Sequence, residues 1–467
     1  MEEKLSFREK FCYGCGEISC NFVFTIVTAL LVTFYTDVVG ISPAIIGTII
    51  AISQVFNGAS DVCAGFIVDR TRSKYGRARV WELRMSVPYA VASVLLMTVP
   101  KAAPMAQAIY IFITYNLMLT VVYTMFQLPF ATSLSYMTRS QTERAKANVI
   151  RMTMSPIGNI VVTMTFLPLV NKLGGTQEVW VKLTAVYGII SAILMLICFF
   201  NTKERVEVLD DMGGEKIPLK KSIPALFKNK YFIILFLFFV LIALYQTFSG
   251  TMLTYYCKWN LGNENLLGVI NFAAQIMMCI SIPFIGLFIH KLSKRTWAML
   301  GGALIAIGSV IIVVSPENIP LIWCGSFLRG LGTAPIYTVM FTMITDAIEY
   351  GQWKTGLRTP GAIQSAVTSG QKFGQGIGSA FIGFVMAAGG YHSAAGVTSQ
   401  STEALQTIYN LFVYGIAVIG LGIVVLMIFY KLDKEYPQIM EELLEREKKM
   451  KDVKYCYIDA AEESFNS

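Results

Sequence analysis

The chain has 467 residues, of which 55% are hydrophobic and only 15% are charged, and its mean hydropathy is +0.57. This composition excludes an ordinary soluble protein and indicates a polytopic membrane protein. The formal net charge of +8 does not indicate nucleic-acid binding, because most Lys and Arg residues stand in short loops between apolar runs and in the C-terminal tail.

Nine cysteines and two histidines give no sign of a disulfide framework or a metal centre. Cys12 and Cys15 have the spacing of a redox motif, but no strand and helix of the kind that motif needs surround them. His290 and His392 are too few and too far apart in sequence to indicate a metal site. We therefore expect no cofactor and no structural metal.

Apolar runs of about twenty residues, the length that crosses a bilayer, recur twelve times. The first run follows a polar N-terminus without a cleavage site, so we expect it to remain as a span. The predicted fold class is an all-α membrane protein with twelve transmembrane helices in two pseudo-symmetric six-helix bundles. The spans are Ile18–Val39, Pro43–Val68, Glu82–Val99, Gln107–Tyr136, Val149–Val170, Val181–Phe200, Tyr231–Tyr256, Leu266–Ile289, Trp297–Val314, Ile319–Ile348, Gly361–Ala388 and Leu405–Tyr430.

Segment 202–230 is the only long polar loop and forms the natural boundary between the two bundles. The predicted domains are an N-terminal bundle (1–201), a central cytoplasmic loop (202–230), a C-terminal bundle (231–432) and a charged tail (433–467). We expect the tail to form a short solvated helix without a part in the chemistry.

Positive charge alternates between loops as a twelve-span path requires. Basic residues follow the even-numbered spans, whereas the opposite loops carry almost none: Arg70 to Arg79; Arg139, Arg144 and Lys146; Lys203 to Lys230; Lys291, Lys294 and Arg295; Lys354 and Arg358. Both termini are therefore expected in the cytoplasm, with the protein in the cell (inner) membrane.

An internal repeat supports the division into halves. The segment Gly65–Arg70 resembles Gly286–Lys291, which follows 221 residues later, and the same offset leads from Arg151 to Lys372. Two landmarks with one offset predict two six-helix halves related by duplication.

Few ionisable groups stand inside the spans. A carboxylate at membrane depth costs roughly 2.5–3.5 kcal/mol, so Asp61 is interpreted as functional. The other candidates for buried polar roles are Glu17, Asn21, Asn57, Ser60, Thr124, Gln127, Arg151, Arg329, Asp346, Glu349 and Lys372. One alternative is that Asp61, Arg151 and Lys372 form a buried ion pair that only fixes helix packing. Asp346 and Glu349 are expected to pair structurally with basic loops, and the role of Arg329 stays open.

Span eleven carries overlapping small-xxx-small spacings from Gly370 to Gly378, which predict close helix contacts. No phosphate-binding loop, nucleophile elbow, zinc-binding motif or dinucleotide fingerprint is present in the sequence. The chain is therefore not expected to be an enzyme.

Several motifs taken together resemble the glycoside-pentoside-hexuronide:cation symporters, the melibiose-permease-like branch of the major facilitator superfamily. They extend over both halves: Tyr13-Gly14, Tyr35-Thr36-Asp37, the block from Asp61 to Arg79, Tyr123-Thr124 with Pro129-Phe130, and the run from Asp346 to Lys354. The resemblance implies the major facilitator fold and cation-coupled (H⁺ or Na⁺) sugar symport by alternating access. The expected working unit is a monomer in the lipid bilayer.

The resemblance also implies individual roles. Asn21 and Gln127 occupy positions of sugar-binding aspartates, and Arg151 and Lys372 match cavity cations. Tyr337 matches an aromatic beside the sugar, and Glu17 completes the predicted substrate site. The predicted cation site consists of Asn57, Ser60, Asp61 and Thr124, and the predicted cytoplasmic gate consists of Asp69, Arg70, Arg77, Asp346 and Glu349.

Departures from the family pattern bear on specificity. Asn57 stands where the permease has a second cation-binding carboxylate, and Ala131 where it has a tryptophan. Loss of one carboxylate weakens a sodium site, which favours proton coupling through Asp61 without excluding sodium. Arg151 and Lys372 face fewer acids, which favours an anionic sugar such as a β-glucuronide. Glu17 favours a neutral pentoside or glycoside, and both substrate classes stay open.

Three alternative functions are possible beside sugar symport. A lysolipid or amphiphile transporter of the same fold needs a wide apolar lining, whereas the candidate residues are polar. A non-transporting membrane sensor lacks an additional domain of the length that signalling needs. A membrane-embedded enzyme lacks a constellation of nucleophile, base and metal.

Overall fold

The structure is a computed structural model that describes residues 4–138, 140–205, 229–355, 360–392, 399–443 and 445. These residues form twelve long helices, so the all-α prediction is confirmed. The helices are α1 (Phe7–Val39), α2 (Pro43–Arg70), α3 (Arg79–Met97), α4 (104–137), α5 (Gln141–Lys172), α6 (Gln177–Asn201), α7 (Lys230–Asn260), α8 (Leu266–Phe288), α9 (Lys294–Val314), α10 (Ile319–Thr355), α11 (Pro360–Ala388) and α12 (402–428).

Among the described residues, eleven helices are long and apolar enough to cross a membrane. The helix outside this set is α11, whose 29 residues at about 1.5 Å each exceed the thickness of the hydrocarbon core. The count of twelve membrane crossings therefore stays a prediction. Several helices extend beyond the predicted spans, because polar turns continue the helix past the apolar run; α1 begins at Phe7 rather than Ile18.

Local sequence signals explain where several helices begin and end. Ser6 and Glu9 form a capping box at the start of α1, with reciprocal hydrogen bonds of 3.0 and 3.2 Å. Gly40 has φ = +88° and ends the same helix in the left-handed region. Pro43 and Pro104 stand at the first positions of α2 and α4, where a missing N–H costs nothing.

The two halves share a second landmark. Helix α1 contains π-helical turns at Ile26–Leu30 and Phe34–Val39. Helix α7 contains matching turns at Phe248–Met252 and Tyr256–Asn260, each beginning 222 residues after its counterpart. The offset agrees with the predicted repeat of 221 residues, and π turns are rare enough for the coincidence to support duplication.

Contacts between the halves follow three helix pairs. Helix α2 packs along α11, α5 packs along α8, and the π-helical parts of α1 and α7 meet between them. Small residues permit this approach: a Cβ at Gly268 would lie 2.6 Å from the Cα of Met164 in α5. Within each half, neighbouring helices such as α1 with α5 and α9 with α10 form the bundle core.

One side of the bundle, which we name the terminal face, holds the start of α1 and the loop 71–78. Glu204, after α6, accepts hydrogen bonds of 2.8–2.9 Å from the backbone amides of Arg77, Ala78 and Arg79. The carboxylate thereby satisfies the amides that open α3. It lies against Gly76, whose φ of +109° and lack of a side chain give it room.

A second acid fixes the N-terminus on this face. Glu143, before the membrane-spanning part of α5, lies 2.5 Å from Nζ of Lys10 and 3.1 Å from Nζ of Lys146. Hydrogen bonds from these two ammonium groups lower the pKa of Glu143 to about 2. The carboxylate of Glu143 therefore stays ionised, and its ion pairs with Lys10 and Lys146 persist, throughout the physiological pH range.

The described part of the tail differs from the prediction. A helix over 432–443 (α13) buries Ile439 and Leu443 instead of lying free in solvent. Glu442 accepts a 2.7 Å hydrogen bond from the indole of Trp353, and Asp433 accepts one of 2.8 Å from the amide of Arg295. The charge of this segment predicts a solvated helix, but its apolar residues are buried and its acids bind residues of α9 and α10.

The opposite side, which we name the far face, is closed. Lys258 of α7 lies 2.7 Å from the carboxylate of Asp37 in α1, and Tyr391 donates a 2.6 Å hydrogen bond to the same residue. The hydroxyls of Thr36 and Tyr255 are 2.9 Å apart. These contacts join the two halves on the far side of the midplane.

Candidate substrate and cation site

The first site element is an ion pair inside the N-terminal half. Nε of Arg151 on α5 lies 3.0 Å from Oε2 of Glu17 on α1, and one Nη of Arg151 donates a 3.3 Å hydrogen bond to the hydroxyl of Tyr13. The close pair lacks hydrogen-bond alignment, so attraction between the charges dominates it. The guanidinium also lies 5.8 Å from the ring centroid of Phe130.

The two predicted sugar-site amides differ in their surroundings. Asn21 donates hydrogen bonds to Glu17 and to the hydroxyl of Ser155, at 2.8–3.3 Å. Gln127 is half-buried, and within the described residues its amide has no hydrogen-bond partner. A half-buried amide of this kind retains donors and acceptors for a polar solute.

Sequence reasoning missed a polar face of α5. Arg151, Ser155, Asn159 and Thr163 recur every four residues and therefore lie along one side of the helix. From the other half, Asn271 of α8 donates to Asn159 at 2.6 Å and to Thr163 at 2.9 Å. The spacing of four residues between these polar side chains is the sequence signal from which this face could have been predicted.

The second ion pair joins the two halves. Nζ of Lys372 on α11 lies 2.5 Å from Oδ2 of Asp61 on α2. The same ammonium donates hydrogen bonds to the side-chain and backbone oxygens of Asn57, at 2.9 and 2.8 Å. The predicted site residues Asp61, Asn57 and Lys372 are therefore brought together, with Lys372 bound to the oxygens assigned to the cation.

The other two predicted cation-site residues stand beside this pair. The hydroxyl of Thr124 is 3.3 Å from Oδ1 of Asn57 and 3.4 Å from Oδ1 of Asp61. Ser60 instead donates to the backbone carbonyl of Thr120, in the π-helical segment Asn116–Tyr123 of α4. A π turn interrupts the regular series of backbone hydrogen bonds in an α-helix, so a backbone carbonyl can accept a hydrogen bond from a side chain instead.

Tyr337 belongs to a chain of amides that sequence reasoning did not identify. Gln246 of α7 donates to the hydroxyl of Tyr337 and accepts from Gln371, which precedes Lys372, at 3.5 Å. On the other side of α11, Gln375 accepts from Gln54 of α2 at 3.5 Å. Glutamine side chains from three helices thus surround the Lys372 region.

The described gate residues have different partners. Lys294 lies 2.5 Å from Asp346, which is the pairing with a basic loop that the sequence predicts, whereas Glu349 accepts a hydrogen bond from the hydroxyl of Tyr436 in α13. The backbone amide of Arg77 binds Glu204. The side chains of Asp69 and Arg70 lie outside the described residues.

Arg329, left open by the sequence, is buried inside the C-terminal half. It donates to the hydroxyl of Ser309 at 3.0 Å and to the backbone carbonyl of Phe412 at 3.2 Å. Phe412 lies in the π-helical turn Leu411–Gly415 of α12. Arg329 therefore ties α10 to α9 and α12 and contributes to packing.

Charges in the site are balanced within the described residues. Arg151 has Glu17 and Lys372 has Asp61 as a partner, so neither cation has an unbalanced positive charge to offer an anionic sugar. The described residues contain no group of three His, Cys, Asp or Glu side chains placed to hold a metal ion. The groups around Lys372 are carboxylate, amide and hydroxyl oxygens, which are suited to a proton or a hard cation.

Comparisons with known proteins place the chain among transporters. The family described as MFS/sugar transport protein matches residues 12–434. The isoprimeverose transporter of Lactiplantibacillus pentosus is 30% identical over 93% of this chain and 91% of its own length. The putative glycoside/cation symporter YagG of Escherichia coli (strain K12) is 28% identical over 94% and 95%.

The fold has close counterparts among solved structures. The nucleoside transporter NupG matches 91% of this chain and all of its own chain with a TM-score of 0.60 at 17% identity, which supports the fold alone. The match over residues 12–434 and the relative that is 30% identical confirm the major facilitator fold and show that the chain is a transporter and not an enzyme. The chain therefore belongs to the MFS/sugar transport protein family, as a multi-pass membrane transporter.

Proposed function

We propose that the protein imports a neutral sugar or glycoside together with a proton, by alternating access between its two halves. It works as a monomer in the cell membrane, with the terminal face in the cytoplasm. The observation that carries the proposal is the cross-half pair of Asp61 and Lys372, whose charged atoms are 2.5 Å apart next to Asn57 and Thr124. Charges at this depth typically line solute or proton pathways.

The charge count around Asp61 favours a proton as the coupling ion. With Asn57 neutral, Asp61 and Lys372 sum to zero, so a sodium ion has no net negative charge to attract it. It must also displace an ammonium group that already binds the carboxylate and the amide oxygen. Protonation of Asp61 neutralises its carboxylate and so breaks the ion pair with Lys372. Unlike sodium binding, protonation requires no free coordination positions around the carboxylate.

The same balance favours a neutral substrate over a hexuronide. Because Glu17 lies 3.0 Å from Arg151, an anionic sugar has to compete with a resident carboxylate. A neutral glycoside instead finds hydroxyl partners in Gln127, Asn21 and the polar face of α5. The polar groups of the site favour a sugar over a lysolipid, because the acyl chain of a lysolipid needs an apolar lining.

Charge distribution and closure support the sidedness. The loops that join helices at the terminal face carry the basic residues that remain in the cytoplasm. The far face is closed by the contacts of Asp37 with Lys258 and Tyr391. In the proposed cycle, rocking of the halves opens the midplane site in turn to the terminal face and to the far face.

Transport by purified protein in lipid vesicles tests the proposal. We expect an imposed pH gradient to drive accumulation of a labelled neutral glycoside, whereas a sodium gradient does not. Asp61→Asn should abolish accumulation and retain sugar exchange, since exchange needs no net proton movement. The matched control is Glu178→Gln, which removes an exposed far-face acid. Sodium-driven accumulation, or unchanged accumulation by Asp61→Asn, contradicts the coupling role.

A further inference from the structure

A polar cavity that opens widely to solvent lies outside the contacts of the far face. It has a volume of about 580 Å³ and lies between the end of α5, the segment that joins α7 to α8, and residues Ser399, Gln400 and Leu405 around the start of α12. The residues that matter for its chemistry are Asn171, Lys258, Trp259, Asn263, Glu264 and Asn265. A volume of this order is typical of small-molecule sites.

The cavity adjoins the contacts that close the far face. Lys258, in its wall, lies 2.7 Å from Asp37 of the other half and 3.1 Å from Glu264. Trp259 donates a 3.0 Å hydrogen bond to Tyr391, which in turn binds Asp37. A solute held here therefore waits directly outside the contacts that have to open before it enters.

The lining has the chemistry of a site for hydroxyl-rich solutes. Asn171 and Asn265 come from different halves, are both exposed, and touch each other only through a long hydrogen bond of 3.4 Å. Most of their donor and acceptor capacity faces the cavity. The half-buried indole of Trp259 adds an apolar ring to the wall, and flat aromatic surface beside polar groups suits the two kinds of surface that a sugar presents.

Charge selects the class of solute. Lys258 is already engaged by two carboxylates, Asp37 and Glu264, so these three groups sum to one negative charge. The ammonium is therefore not available to neutralise an added anion. A neutral glycoside fits these surroundings better than a glucuronide of the same size.

We propose that this cavity is an entry subsite that binds a neutral glycoside before the far face opens. The inference rests on the proposed function and deepens it, because it adds a second sugar site on the path to the midplane site. The two sites are separated by the closed contacts and have no residue in common, so they can be inactivated independently.

Binding measurements on the full chain in lipid nanodiscs test the subsite. Replacing both members of the N-terminal pair, as Glu17→Gln with Arg151→Gln, removes this ion pair of the midplane site without leaving a buried charge unpaired, and saturation-transfer NMR with a methyl xyloside then reports what binding remains. We expect retained weak binding, which the further double substitution Asn171→Ala and Asn265→Ala weakens by about fivefold through loss of neutral hydrogen bonds. Neither residue caps a helix through its side chain; Asn265 stands at the start of α8 without a side-chain cap bond.

Matched controls separate the possible outcomes. Gln107→Ala removes a half-buried far-face amide, one that bonds only the carbonyl of Pro100, and should leave binding unchanged. A methyl glucuronide should bind more weakly than the xyloside. Absence of binding in the variant with Glu17→Gln and Arg151→Gln, equal binding by the cavity variant, or tighter binding of the glucuronide overturns the subsite. Failure of wild-type glycoside transport with subsite binding retained overturns the proposed function instead.

Discussion

The two ion pairs near the midplane have similar chemistry but different positions relative to the moving parts. Glu17 and Arg151 both belong to the N-terminal half, whereas Asp61 and Lys372 come from opposite halves. When the halves rock, the distance in the first pair is preserved because both helices move together. The distance in the second pair depends on the motion itself.

Burial separates the pairs as well. The side chains of Glu17 and Arg151 are 11% and 13% exposed, while that of Asp61 is 33% exposed. A paired charge that is more deeply buried is more costly to leave alone. Under the proposed function, the N-terminal pair maintains the binding surface, whereas the cross-half pair connects protonation with movement of the halves.

The largest expected effect is the loss of one member of the buried pair. Glu17→Gln leaves the guanidinium of Arg151 without its carboxylate, which typically costs about 3–5 kcal/mol. We expect a marked fall in the thermal unfolding temperature of the protein in detergent, together with loss of glycoside uptake.

A second variant distinguishes stability from binding. Replacing both residues, as Glu17→Gln with Arg151→Gln, removes the uncompensated charge and should restore most of the unfolding temperature while uptake stays absent. If the double variant is as unstable as the single one, the pair is not the source of the loss.

Lys372→Gln tests the cross-half pair. We expect a smaller stability change, about 1 kcal/mol or less, because a partly exposed Asp61 remains hydrated. The carboxylate then stands with amide and hydroxyl oxygens and a net negative charge, so sodium should begin to stimulate uptake. Uptake under sodium and potassium buffers measures this gain; a variant that remains indifferent to sodium contradicts the charge argument for proton coupling.

Asp37→Asn addresses the closure of the far face. The substitution removes the negative charge that contacts both Lys258 and Tyr391. If the closed form loses about 1.4 kcal/mol of stability relative to the open form, the ratio of open to closed forms rises tenfold. We expect faster hydrogen–deuterium exchange over residues 251–258. Glu264→Gln serves as the control, since it leaves the contact between Asp37 and Lys258 in place; equal exchange in both variants argues against Asp37 as the closing residue.

The smallest effect is expected at the docked tail helix. Glu435 of α13 lies 3.4 Å from Lys230, but both side chains are largely exposed, at 40% and 53%. An exposed pair of this kind contributes about 0–1 kcal/mol. Glu435→Gln should therefore leave both the unfolding temperature and the transport rate close to those of the parent chain. A large fall in either quantity indicates that α13 depends on this charge.

Several features of the fold were predictable from the sequence, because the length of the apolar runs and the charge of the loops between them can be read along the chain. Long apolar runs predicted the helices, and the π turns of α1 and α7 agree with the duplication indicated by the repeat. The candidate residues Glu17, Asn21, Asp61 and Arg151 were recognised singly, since each is a polar group inside an apolar run.

The pairing of these residues depended on tertiary structure. Nothing in the linear sequence connects Glu17 with Arg151 rather than Asp61 with Arg151; the choice follows from which helices pack side by side. The polar face of α5 is visible in the sequence as a spacing of four residues. Its partner Asn271 lies in the other half, so their contact could not be predicted from that spacing.

The sequence by itself determined that this protein crosses a membrane in many helices and contains few charged groups at depth, because these properties depend on composition and spacing along one chain. Tertiary structure decided that Arg151 and Lys372 each have a carboxylate partner, that contacts join the halves at the far face, and that α13 is docked. These outcomes depend on distances between helices that are far apart in sequence, and such distances are set only when the two halves pack together.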